Sequence, residues 1–302
     1  MEAVLLGTGC PQCHPRRFGP ANLVRTADSA VLVDCGSGVT QRLVAAGTPG
    51  RDLDAVLLTH LHTDHVIDLY QLIVSSWHQG RDRPQRVIGP KGTRRYVDGL
   101  MDLWRAERAQ RIAHEKRPST AALEVEVEEM AAGWPGGTVL SLPDLEVAAF
   151  RVAHEPVTEA YGFAIADRAG RRAVFSGDTA RCDALIEAAR GADLLVHEVF
   201  IHREMPPIPG VRTAETVAAV ASYHTLSDAV GKIAAEAGVG FLMLNHFVPA
   251  EFDRAALARE VAADFPGPFA VGEDLMRYDL ANRLLHHADG VVRLAGGGAA
   301  AR

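Results

Sequence analysis

Leu57-Leu58-Thr59-His60-Leu61-His62-Thr63-Asp64-His65 is the stretch that decides the reading of this chain. An apolar run, Ala55–Thr59, has the length and composition of a buried strand. It delivers four potential metal ligands within six residues. On an extended loop, His60 and His62 point to the same side and can share one ion. Asp64 and His65 follow a turn into the next helix and can reach a second ion. Imidazole with carboxylate suits zinc, and also manganese or iron. An inert cluster of this density would leave polar groups buried at high cost, so metal binding is expected.

The surrounding chain is ordinary. It has 302 residues, 48% of them hydrophobic, enough for a substantial core, so a disordered chain is excluded. The net charge of −7 argues against a general nucleic-acid coat but not against a local basic patch. Four cysteines do not make a disulfide framework in a chain this long. Cys10-Pro11-Gln12-Cys13 forms a CxxC that lacks the second ligand pair of a structural zinc site, and reads as a loop with two reduced thiols. Cys35 and Cys182 read as packing residues. No basic leader and no run of ~20 apolar residues is present, so a soluble cytoplasmic protein without a membrane partner is expected.

Short apolar runs recur as strands: Ala3–Leu6, Ser29–Asp34, Ala55–Thr59, Arg86–Ile88, Leu145–Arg151, Gly162–Ala166, Ala173–Ser176, Leu194–His197, Phe241–Asn245 and Pro268–Val271. Helical patterns fall between them, among them Asp68–Gln79, Thr93–Arg111 and Leu226–Ala237. Clustered strands with interspersed helices predict an α/β fold of two sheets packed face to face with helices outside. One large domain is expected over residues 1–283. It carries a mostly helical basic insertion at about 77–118, near the mouth of the site, and a loose tail at 284–302. Residues 81–117 hold 11 Lys and Arg against 5 Asp and Glu, a local net of +6.

The histidine motif resembles that of the metallo-β-lactamase superfamily, in its ribonuclease Z and arylsulfatase branch. Further motifs carry the likeness in order: Val152-Ala153-His154 before Tyr161-Gly162-Phe163, then Phe175-Ser176-Gly177-Asp178-Thr179, then Asn245-His246-Phe247. The resemblance spans about residues 1–280. It implies an αββα sandwich, two mixed β-sheets flanked by helices, with a two-metal site between the sheets. It implies that His60, His62 and His154 hold one metal, that Asp64, His65 and His246 hold the other, and that Asp178 bridges them. Asp34 is expected to support the ligand loop from behind. Leu195-Val196-His197-Glu198-Val199-Phe200 and Ser222-Tyr223-His224-Thr225 resemble two further motifs of the branch. There Glu198 would orient His224, and His224 would meet the substrate anion or protonate the leaving group. The resemblance also implies a homodimer.

Two divalent ions lower the pKa of a shared water toward ~7, giving hydroxide at neutral pH. Asp64 would orient that nucleophile. The expected reaction is therefore metal-assisted hydrolysis, with zinc the best-suited metal and no organic cofactor. For substrate, a small anionic ester is expected, either a phosphodiester or an aryl sulfate. The alternative is a tRNA 3′-processing endoribonuclease. It is disfavoured here because only Gly162 to Phe175 stands where that family carries its tRNA-gripping arm. A lactonase, an iron-dependent dioxygenase or a catalytically dead scaffold fits the Glu198 and His224 motifs less well.

Overall fold

The computed structural model describes residues 1–294. Six strands open the chain: β1 Glu2–Gly7, β2 Ala21–Arg25, β3 Ala30–Val33, β4 Ala55–Leu57, β5 Gln85–Gly89 and β6 Val125–Glu129. Seven build the other sheet: β7 Gly136–Ser141, β8 Leu145–Arg151, β9 Tyr161–Asp167, β10 Arg172–Phe175, β11 Leu194–Phe200, β12 Leu242–Val248 and β13 Phe269–Val271. The chain then returns to the first sheet as β14 Arg277–Asp279, β15 Leu284–His287 and β16 Gly290–Arg293. The first sheet has the order β16-β15-β14-β1-β2-β3-β4-β5-β6, and the second β13-β12-β11-β10-β9-β8-β7. Both are mixed. Pairing is parallel from β3 through β6 and from β10 through β13, and antiparallel elsewhere.

Alternation along the strands sorts the core into layers. Leu57, Val31 and Leu5 point inward and meet Phe163, Phe175, Val196 and Met243 of the second sheet. Val56, Leu58 and Leu32 point outward and pack on helices α1 Val39–Ala45 and α3 Leu69–His78 through Leu43, Leu69, Leu72 and Trp77. Between those helices lies the short α2, Thr63–Val66. Helices α4 Thr93–Leu103 and α5 Arg105–Glu115 follow β5. On the far side, α6 Asp183–Ala189, α8 Ser227–Ala237 and α9 Arg254–Asp264 cover Val174, Leu195, Leu242 and Leu244. The remaining helix, α7 Ala214–Ser222, precedes His224 and is capped by the Thr213 hydroxyl. The result is the expected αββα sandwich. Among the described residues no helix is long and apolar enough to cross a membrane.

Several local expectations change. Residues from Leu284 were expected to be loose, yet β15 and β16 pair antiparallel at the edge of the first sheet, with Leu285 buried. A four-residue strand carrying two histidines lacks a hydrophobic run, which hid it. The rest of that expected tail, 295–302, lies outside the described residues. The helix expected over Thr93–Arg111 is broken at Trp104, whose φ of −100° and ψ of 13° leave the helical region. Its indole stacks on Tyr70 of α3, with ring centroids 5.1 Å apart. The basic segment is less free than its composition suggests. Arg81 gives its guanidinium to the carbonyls of Arg51, Leu53, Arg83 and Pro84. Arg83, Arg86 and Arg111 are paired with Asp54, Glu128 and Glu107. Where the tRNA-gripping arm was sought, β9 and β10 form a plain hairpin, with Gly170 donating to the Asp167 carbonyl in its turn.

Candidate metal centre

Strand ends and loops converge between the sheets to form the site. At the end of β4 the chain leaves the sheet extended, and His62 caps the start of α2 in a β conformation. Asp64 and His65 then lie in the first turn of α2. At the end of β10, Gly177 takes a φ of +59°, where a side chain would run 2.8 Å from the Tyr161 carbonyl oxygen. That turn delivers Asp178. His246 reaches the site by another device. The β11–β12 register pairs Glu198 with Asn245 and then Val199 with Phe247, so His246 is an extra residue in β12. Its φ is +42°, a strained value for a non-glycine residue, and its amide is held by the Asn245 side-chain oxygen at 2.7 Å.

The expected residues meet in two adjoining groups. His60, His62, His154 and Asp178 place one ligand atom each within 4.8 Å of one another, as do Asp64, His65 and His246. Around the Asp178 Oδ2 stand His65 Nε2 at 3.3 Å, His246 Nε2 at 3.4 Å, His60 Nε2 at 3.9 Å and His154 Nε2 at 4.0 Å. Asp64 Oδ2 lies 3.3 Å from His246 Nε2 and 3.6 Å from His65 Nε2. Ligands sharing a tetrahedral ion at about 2.0–2.1 Å lie about 3.4 Å apart, so this spacing is that of coordination edges. Hydrogen bonding points the same way. His60 Nε2, His65 Nε2 and Asp178 Oδ1 are buried with no hydrogen-bond partner among the described residues. Orphaned atoms of this kind are costly unless an ion completes them. The cluster can bind metals.

The backs of the rings are already committed. His65 Nδ1 donates to Asp34 Oδ2 at 2.8 Å, and His154 Nδ1 donates to the Tyr223 carbonyl at 2.9 Å. The Thr59 hydroxyl donates to Asp34 and lies 3.0 Å from His60 Nδ1, which it can accept. Each bond leaves Nε2 facing inward with its lone pair available. Asp34, held at a φ of +63°, also takes the Thr59 amide at 2.8 Å. Charge states fit as well. Burial, and then repulsion from His65, pushes His60 well below its ordinary pKa, and burial lowers His62 and His154 too. For Asp178, burial would raise the carboxyl, but His246 and His65 outweigh it and hold it well below the usual range. His60, His62 and His154 are thus held neutral beside an ionised carboxylate, whereas Asp178 overrides burial and pushes His65 and His246 up, so a cation binding there would displace their protons.

Glu198 and His224 are paired beside this cluster. Glu198 Oε1 lies 2.9 Å from His224 Nδ1, and both side chains are buried. Burial alone would lower His224, but the Glu198 carboxylate overrides it and pushes its pKa up to about 9. The same carboxylate oxygen accepts the amides of Thr179 and Thr225 at 3.0 and 3.2 Å. His224 also lies within 4.8 Å of ligand atoms of Asp178 and His246. A cavity of about 490 Å³ opens over the cluster, walled by His62, Asp64, Asp178, His224 and His246 together with Cys10, Pro11 and Gln12. Thr59, Thr179, Tyr223 and Thr225 are supporting residues that the motif reading passed over. Each is a direct sequence neighbour of a recognised site residue.

Comparison with known proteins bears on the family and the fold. The family model of the beta-lactamase superfamily domain matches residues 29–247. The chain is 38% identical to the ribonuclease Z of Mycobacterium bovis over 293 residues, covering 93% of this chain and 98% of that one. For the ribonuclease Z of Mycobacterium marinum the identity is also 38%, over 93% and 99% of the two chains. Among solved structures, the metallo-beta-lactamase fold protein YhfI from Bacillus subtilis superposes with a TM-score of 0.69 at 21% identity, covering 92% of this chain and 99% of that one. The short form of human tRNase Z superposes with a TM-score of 0.68, also at 21% identity, over 93% and 99%. These relatives overturn the expectation of a small phosphodiester or aryl sulfate as substrate. The missing arm had argued against tRNA, yet proteins named ribonuclease Z are matched over nearly their whole length by a chain with only a tight β9–β10 turn. The chain belongs to the metallo-β-lactamase superfamily and, within it, to the ribonuclease Z family.

Proposed function

We propose that this protein is a metal-dependent endoribonuclease that processes the 3′ end of precursor tRNA. The observation that carries the reading is the 38% identity to ribonuclease Z over nearly the full length of both chains, and the buried His and Asp cluster supports it. In this reading His60, His62 and His154 hold one ion, Asp64, His65 and His246 hold a second, and Asp178 lies between them. Five imidazoles and two carboxylates suit zinc best, with manganese or iron as substitutes. When bound, the two ions supply Lewis acidity toward phosphate oxygens and lower the pKa of water to about 7.

The chain's own residues do the rest. Burial would raise Asp64, but His65 and His246 hold it below its ordinary pKa, so it stays ionised. It faces the cavity and accepts a hydrogen bond from the attacking water, fixing its orientation. His224, protonated at neutral pH through its contact with Glu198, presents its free Nε2 toward the Asp178 and His246 side of the site. There it donates a proton to the departing oxygen as the phosphodiester breaks. Glu198 is a positioning residue: it holds the ring and its charge without touching substrate. The cavity is walled by apolar Leu61, Met205, Val220 and Val248 beside the ionisable cluster, a lining that suits bases as well as phosphate.

A precursor tRNA carrying a 3′ trailer, incubated with protein of measured metal content, should be cut at one position next to the mature end. Intact trailer after incubation with fully loaded protein would refute the assignment. The same reading makes the protein cytoplasmic and homodimeric, and light scattering on the purified chain tests the dimer.

A further inference from the structure

The CxxC of the β1–β2 loop stands at the lip of the site. Cys10 is buried in the wall of the 490 Å³ cavity, and Cys10 and Cys13 both line an adjoining cavity of about 380 Å³ that also reaches Thr63 and Asp64. All four thiols of the chain are free. Cys13 is exposed, whereas Cys35 is fully enclosed and Cys182 lies 3.7 Å from the Thr179 hydroxyl. The loop bends at Pro11 and Gln12, and burial pushes the Cys10 thiol up to about 11 against the opposing pull of the Gln12 and Ala250 amides. Fully extended, three residues span about 10 Å, while a disulfide needs Cα atoms about 4.4–6.8 Å apart. The bend at Pro11 and Gln12 shortens that path, and both cysteines face the same cavity.

The base of the loop is locked. The Gly9 amide donates to the Phe18 carbonyl at 2.7 Å, and the Phe18 amide donates to Asp274 at 2.8 Å. Arg17 ties it further, donating to the Thr8 hydroxyl at 2.7 Å and to the carbonyls of Gly272 and Ala250 at 3.0 and 3.1 Å. Its guanidinium lies over the rings of Phe247 and Phe252. Cys10 packs with Phe200, Val248 and Ala250, and His14 reaches Glu251 at 2.8 Å, so the stretch left between these anchors is Pro11 to Cys13.

We propose that Cys10 and Cys13 are an oxidative modification site, joined by a reversible disulfide that closes the passage beside the metal cluster. A peroxide oxidises the exposed Cys13 thiol to a sulfenic acid, releasing water. The Cys10 sulfur then attacks that sulfur. The S–S bond forms, the S–O bond breaks, and the hydroxyl leaves with the Cys10 proton as a second water. Two electrons pass from the two thiols to one peroxide, and a dithiol reductant returns them. The bond draws Cys13 from solvent onto the wall shared by the two cavities. Formation of the disulfide is independent of the substrate reading; the loss of RNA cleavage rests on it.

The test treats metal-loaded protein with hydrogen peroxide, then with dithiothreitol. Peptide mass mapping should find a Cys10–Cys13 crosslink with metal content unchanged. KM for precursor tRNA should rise about tenfold, as expected of a misplaced site wall, and recover on reduction. Stripping of the metals by a chelator should slow in the oxidised form, a readout that needs no substrate. Cys13→Ser should abolish the crosslink and both responses, while Cys182→Ser should behave like the parent. Absence of the crosslink, a crosslink that leaves both chelator stripping and RNA cleavage unchanged, or responses that persist in Cys13→Ser would each overturn the proposal. Failure of the reduced protein to cut RNA would count against the substrate reading alone.

Discussion

A single oxygen, Glu198 Oε1, holds His224 Nδ1 at 2.9 Å and at the same time receives two backbone amides. Those amides, of Thr179 and Thr225, anchor the carboxylate to the loop carrying Asp178 and to the loop carrying His224. Glu198 thereby fixes the proposed proton donor in register with the metal cluster. Replacing His224 with Ala should lower kcat by about 10²-fold while leaving metal content intact, because a proton donor and no ligand is removed. Metal analysis beside steady-state cleavage checks both halves.

The pH dependence separates Glu198 from a merely structural residue. In the proposed reaction His224 acts protonated, so activity should be lost as pH rises through its pKa, which Glu198 pushes up to about 9. In Glu198→Gln the stabilising charge is gone and the pKa falls. The alkaline limb of the rate profile should move to lower pH. An unmoved limb would remove Glu198 from its positioning role.

Asp178 stands at the centre of the cluster, with four imidazoles around one of its oxygens. Asp178→Asn keeps the shape but cannot balance the charge of two ions. Loss of at least one metal per chain and loss of RNA cleavage should occur together. Full turnover in this variant would contradict the proposed ligand set.

Asp34 touches the site only through His65 and Thr59. Asp34→Asn should weaken metal affinity by about 10–100-fold, the usual penalty for releasing a supporting carboxylate, and excess metal should restore activity. Titration with a competing chelator measures the shift, and rescue distinguishes it from general unfolding.

Metal removal should also cost stability. The orphaned atoms of His60, His65 and Asp178 are buried in the fold whether or not an ion is present. Ions at about 100 times their dissociation constant contribute about 2.7 kcal/mol to the folded state. Dialysis against a chelator should lower Tm, and zinc added back should raise it.

Much of this site can be read from the sequence because its densest part is contiguous. His60, His62, Asp64 and His65 share one loop, and the strand before them is a plain apolar run. His154, Asp178 and His246 are recognisable only by their order along the chain, since nothing local marks a lone histidine as a ligand. Elements that depend on tertiary context escape. The β2 strand carries Asn22, whose polar side chain meets Asn245 across the sheets and interrupts the apolar run. The β6 strand reads as an acidic run because Glu126, Glu128 and Glu129 face solvent while Val127 alone is buried on its face. Trp104 breaks a continuous helical pattern because its ring is drawn to Tyr70, a contact 34 residues away in sequence. The absence of an arm was legible too, but its meaning was not. Length at one hairpin describes how a substrate is gripped, whereas the metal ligands describe what is done to it.

The extra residue in β12 has a consequence for how fold and reaction are joined. The ladder with β11 resumes at Phe247 as though His246 were not there. One ligand of the cluster is thus spare to the sheet: every pairing on either side is made without it. Deleting that single residue would let the two stretches of strand fuse into regular parallel pairing, so the sandwich would persist while the centre was left one histidine short. At this position the architecture and the chemistry are separable, by one amino acid.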